Sequence, residues 1–254
     1  MFQLLVSSNE ELITNDIGPL ALNIFIAIVP SVLLCAYVYF KDEIEKEPLK
    51  MLFTLFFLGV LITVPASFVE NSILDTFDLT DNTDLVSCLI LSFLVVGLVE
   101  EGYKFVITYF GSWRSKEFNH VYDAIVYATF VSLGFATLEN ILYVLRHGTE
   151  TALVRSIISV PAHAFYAISC GYYLGLSKLN YSIGNRSKGK MYKFLAFIVP
   201  VLMHGLFDFL LLTNNNELIW MFFAFVAILY VVSFFNIRRL ASVQMTSSIQ
   251  KERW

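Results

Sequence analysis

The chain has 254 residues, is 57% hydrophobic and only 15% charged, and has a mean hydropathy of +0.68. That balance excludes a soluble domain and predicts an all-α polytopic transmembrane helix bundle. The net charge of -4 comes mostly from loops expected outside the cell, and no nucleic-acid partner is expected.

An apolar run of about 20 residues crosses a hydrocarbon core about 30 Å thick. On that measure the spans are expected at about 19–40, 51–69, 85–111, 121–145, 152–177, 191–213 and 217–236. The third and fifth runs are long enough to tilt or protrude. Residues 1–17 lack a basic n-region, and the run after them is too long for a signal-peptide core. The 41–50 connection carries Lys41, Lys46 and Lys50, and the 112–120 connection carries Arg114 and Lys116. Lys178, Arg186, Lys188, Lys190 and Lys193 lie on 178–193, and Arg238, Arg239, Lys251 and Arg253 on the tail. These four stretches hold fourteen of the 17 Lys and Arg, whereas 70–84 is acidic (Glu70, Asp75, Asp78, Asp81, Asp84). The positive-inside rule then gives about seven helices, with the N-terminus outside and the C-terminus in the cytoplasm. Short loops make 1–254 one integral-membrane domain, with its chemistry in 85–213 and a cytoplasmic tail at 237–254. The run Ser182–Gly189 reads as a flexible turn, and Cys35, Cys88 and Cys170 as core residues rather than a metal or disulfide framework.

Eight ionisable side chains fall in or beside the apolar runs: Glu100, Glu101, Lys104, Asp123, Glu139, His163, His204 and Asp208. Each charge at mid-membrane costs about 2.5–3.5 kcal/mol unless it pairs or lines a wet cavity, so the set marks an active site. Glu100 and Glu101 stand four and three residues before Lys104, so both neighbour its ammonium on a helix. One cation beside two carboxylates leaves a glutamate over for general-base work. Phe135 lies one turn before Glu139, which Asn140 follows, and His204 shares a helix face with Asp208. Pro200 opens the backbone just before. His163 follows Pro161 alone, and Asp123 reads as a cap or loop partner.

Helical rise places Glu139, His163, His204 and Asp208 between mid-membrane and the outer half, Glu100 and Glu101 somewhat deeper and Lys104 nearest the cytoplasm, so four consecutive helices can deliver them to one cavity. Two chemistries match. In one, His163 and His204 with Glu139 or Asp208 hold Zn²⁺, a Glu100/Glu101 carboxylate is the base, and Lys104 orients it. In the other, a glutamate activates water without a metal while histidines and Asn140 stabilise the oxyanion.

The ordered motifs Glu100-Glu101-x-x-Lys104, Phe135-x-x-x-Glu139, His163 and His204-x-x-x-Asp208 resemble those of the PrsW family of intramembrane proteases. That family is distantly related to the type II CAAX-processing proteases. The likeness covers about 40–212, including Lys41–Pro48. Lys104 and Glu139 stand where CAAX enzymes have arginine and histidine, which favours PrsW. The resemblance implies a multi-pass protease of the bacterial cell membrane making the first, extracytoplasmic cut in a single-pass anti-sigma factor. A second intramembrane protease then completes release of the sigma factor, an ECF sigma factor of a stress response. The competing classes are a CAAX-type or other membrane protease, an ion-coupled transporter and a non-catalytic scaffold. The absence of an inverted repeat speaks against transport, and retention of all four motifs speaks against a scaffold.

Overall fold

The structure, a computed structural model, describes residues 17–42, 45–77, 84–213 and 216–240. Among them every regular element is helical: α1 (Ile17–Lys41), α2 (Leu49–Phe77), α3 (Leu85–Ser112), α4 (Asp123–Ile157), α5 (Ser159–Ser182), α6 (Arg186–Leu212) and α7 (Asn216–Leu240). The first six are long and apolar enough to cross a membrane, while α7 contributes a shorter apolar stretch, Leu218–Ser233. Large apolar side chains such as Phe68, Phe110 and Trp220 stand mostly exposed, as a lipid-facing surface requires.

Small residues on the polar helices lead one to expect α3 to α6 at the centre, but α4 and α5 form it, and α3 is no more buried than α2. Over their apolar windows α4 and α5 are 78% and 72% buried, against 22% for α1 and 33% for α2. Close backbone approach explains how. A Cβ on Gly59 of α2 would meet Val131 O of α4 at 2.0 Å, and one on Gly134 would meet Phe56 O at 2.0 Å. A Cβ on Gly171 of α5 would lie 2.4 Å from Ile125 Cα of α4. Lipid offers no hydrophobic drive for helix association, so such small-residue contacts carry the packing. Cys35, Cys88 and Cys170 are buried on three different helices, as core residues.

Two expectations need correction. The acidic stretch from Glu70 is not all loop: α2 runs on to Phe77, so Glu70 and Asp75 are helical, and Glu70 is buried. Residues 78–83 lie outside those described. The third span is not uniform either. Asp84 caps its start by accepting from the Val86 and Ser87 amides, and the helix widens to a π-helix over Ile90–Gly97 before resuming α geometry. Such wide turns cluster near functional sites, and this one ends three residues before Glu100.

Candidate active site

On α3, Glu100, Glu101 and Lys104 are all nearly inaccessible, and the i,i+4 and i,i+3 spacings bring both carboxylates to the ammonium. Lys104 Nζ lies 2.9 Å from Glu100 Oε2, 2.8 Å from Glu101 Oε1 and 3.0 Å from His163 Nδ1. An ammonium has three protons and accepts nothing, so it donates to all three. The Phe135 ring covers it at 4.2 Å, which gives the phenylalanine of the second motif a physical role.

The tautomer of His163 follows. Its Nδ1 accepts from Lys104, so Nε2–H donates to Glu139 Oε2 at 3.0 Å. Glu139 Oε1 in turn accepts from Arg155, 2.8 Å away. Arg155 Nε donates to Asn140 Oδ1 at 2.9 Å, and its guanidinium lies 3.7 Å over the Tyr143 ring. The Asn140 amide also reaches Ala27 O on α1, at 3.3 Å. Arg155 arrives there because α4 breaks at Gly148, where φ 77° and ψ -165° suit glycine alone. The last helical stretch to Ile157 then folds back over Glu139.

The fourth motif closes the group. His204 Nδ1 lies 2.9 Å from Glu101 Oε1, and Nε2 faces Asp208 Oδ2 at 3.5 Å. The His163 and His204 rings are 5.4 Å apart, and Tyr166 stacks on His204 at 4.9 Å. Helices α3 and α6 meet here through Gly97, whose Cβ would lie 3.1 Å from Val201 O, and Gly205, whose Cβ would strike Phe93 at 2.4 Å.

These groups border a cavity of about 120 Å³, enough for several waters. Glu100, Glu139, His163, His204 and Asp208 line it, together with Tyr166 and Glu70. Glu101 and Lys104 instead line a small recess behind, and Asn140 borders neither space. Four helices thus bring together every motif residue expected at the site, with Glu100 forward and Glu101 behind. Glu100, Glu101, His163 and His204 bring metal-type donor atoms within 4.8 Å of one another. The expected set of Glu139, His163, His204 and Asp208 shares only the two histidines with this group.

Asp123 lies at the far end of α4, where its Oδ2 accepts from the Asn119 and His120 amides at 2.9 and 2.6 Å. It is a loop partner, as expected. Sequence reasoning missed Arg155, Tyr166 and Glu70. Arg155 had a signal, a basic residue next to an apolar run far from the lysine-rich connections. Glu70 was hidden inside an acidic run, and nothing in the sequence marks Tyr166.

The family model for "PrsW family intramembrane metalloprotease" matches residues 47–237. The Protease PrsW of Geobacillus kaustophilus is 38% identical over 189 residues, 74% of this chain and 79% of the relative. That of Oceanobacillus iheyensis is 35% identical over 214 residues, 84% of this chain and 93% of the relative. That of Bacillus subtilis is 37% identical over 194 residues, 76% of this chain and 84% of the relative. No solved structure matches. The apolar helices and these relatives make the chain a multi-pass protein of a bacterial membrane and a peptidase. It belongs to the PrsW family of intramembrane metalloproteases.

Proposed function

We propose that this protease makes the first, extracytoplasmic-side cut in a single-pass anti-sigma factor, leading to release of an ECF sigma factor in a stress response. The observation that carries the reading is the water-sized cavity at the bundle end away from Lys41, Lys46 and Lys50, with a carboxylate fixed at its wall. With the lysines cytoplasmic, that end faces outward.

Glu100 is the general base. Its Oε2 is held by Lys104 while the carboxylate faces the cavity, so its oxygens are oriented towards a cavity water. Glu101 sits behind and orients His204. Asn140 supports Arg155, which in turn holds Glu139 against His163. Tyr166 presents a buried hydroxyl with no hydrogen-bond partner at the cavity, a donor placed for the oxyanion of the tetrahedral intermediate.

The family description implies a metal, and the donor chemistry fits one. Within the group of Glu100, Glu101, His163 and His204, whose donor atoms lie within 4.8 Å of one another, Glu101, His163 and His204 would hold a zinc and leave Glu100 as the base. A bound zinc would supply Lewis acidity and a lowered pKa for its water. Lys104 already donates to three of those four residues, so metal and ammonium compete for the same lone pairs.

Purified full-length protein in liposomes should cleave a single-pass anti-sigma factor near its outer membrane boundary. No cleavage of any such substrate would overturn the reading. Full activity after stringent chelation, with no metal found by elemental analysis, would remove zinc from it.

A further inference from the structure

Glu70 is the one cavity carboxylate that the motif chemistry leaves unused. It stands on α2 and is 5% exposed, its Oε1 is buried without a hydrogen bond, and among the described residues it pairs with no cation. The cavity faces it with Glu100 from α3, Glu139 and Arg146 from α4, His163 from α5, and His204 and Asp208 from α6. Every other acid of the site has a partner. Glu100 and Glu101 share Lys104, Glu139 has Arg155 and His163, and Asp208 faces His204. A carboxylate held beside a cation is suited to act as a base. An unpaired buried carboxylate costs several kcal/mol as an anion and takes up a proton instead.

We propose that Glu70 is the proton donor of peptide cleavage, a catalytic residue supplied by α2 outside the four sequence motifs. The inference rests on the protease reading with Glu100 as base. Water attacks the scissile carbonyl carbon and gives its proton to Glu100. As the C–N bond breaks, the proton of the Glu70 carboxyl passes to the departing amine nitrogen. The proton on Glu100 then returns to Glu70 through cavity water, which restores both groups. The balance is one peptide bond and one water consumed, one carboxyl and one amine released. Two carboxyl groups of opposite protonation on one cavity divide acid and base work between them.

The test uses the full-length protein in liposomes with a single-pass segment that wild type cleaves. Glu70→Gln keeps size and a donor but cannot pass on a proton. It should lower kcat by about 10²-fold or more with KM within about twofold. Its thermal unfolding midpoint should not fall, because the variant removes an uncompensated acid. Glu70→Asp should retain part of the rate. A Glu70→Gln enzyme within about threefold of wild-type kcat would overturn the proposal. Infrared difference spectra decide independently of any substrate. Wild type at neutral pH should show the carbonyl stretch of a protonated carboxyl that Glu70→Gln lacks, and its absence would also overturn the proposal. Were wild type to cleave nothing while that band appeared, the protease reading would fail and the protonated Glu70 would stand.

Discussion

At the lysine-rich end, Asp42, Glu47 and Asp123 bring carboxylate oxygens within 4.8 Å of one another, as closely as Glu100 and Glu101 approach the two histidines at the other end. The company differs. Asp123 takes two backbone amides, and Glu47 accepts the Tyr127 phenol. Burial, then the nearby Asp123 charge, pushes the Glu47 carboxyl up to about 9. At the active site, Glu100, Glu101, Glu139 and Asp208 meet an ammonium, a guanidinium or an imidazole. Neutral hydrogen bonds fix a loop and keep protons in place. Charged partners instead orient a carboxylate where no bulk water solvates it, as a base requires.

The largest effect that would break this contrast is on turnover. Glu100→Gln should lower cleavage about 10³-fold with little change in the unfolding midpoint, whereas Glu47→Gln should leave kcat within about threefold. Equal losses in both variants, measured on one reconstituted substrate, would erase the distinction between the two ends. Next comes stability. Lys104→Met strands two buried carboxylates and should destabilise the protein by about 3 kcal/mol in reversible unfolding, more than Lys104→Arg. Arg155→Met leaves Glu139 and Asn140 without their cation, and kcat should fall about tenfold.

The smallest effect is a pH slope. The folded-state pKa of Glu47 lies above its ordinary 4.5, so the stability it contributes is complete below that value and is lost as pH rises towards about 9. Unfolding midpoints should therefore fall across that window, and Glu47→Gln should flatten the slope. An unchanged slope would show that the neighbouring acids carry it.

The helices and the motif residues were legible because each carries a local signal. Apolar runs of membrane length gave the spans, and i,i+3 and i,i+4 spacing put Glu100, Glu101 and Lys104 on one face. Depth alone predicted that His163 and His204 would meet. The partnership of Glu139 with Arg155 was not legible, since it depends on a chain reversal at Gly148 that no periodicity announces. Asn140 looked like an oxyanion donor because it is polar and follows Glu139, yet its amide serves Ala27 and Arg155. Glu70 was misplaced for the opposite reason. An acidic run looks like solvent-exposed loop, and only tertiary packing shows that α2 continues through it into the cavity.

The hydrogen bonds and ion pairs of the site also form a mechanical circuit. They tie α3 to α5 through Lys104 and His163, α5 to α4 through His163 and Glu139, and α6 to α3 through His204 and Glu101. The Ser67–Asn71 face of α2 borders the same cavity, and Glu70 on it carries no ion pair to the ring. Displacing α3, α4, α5 or α6 breaks a link of this ring, whereas α2 is joined to the bundle by the close backbone fit at Gly59 and Gly134. Four helices are locked by polar links and the fifth by the fit of its backbone.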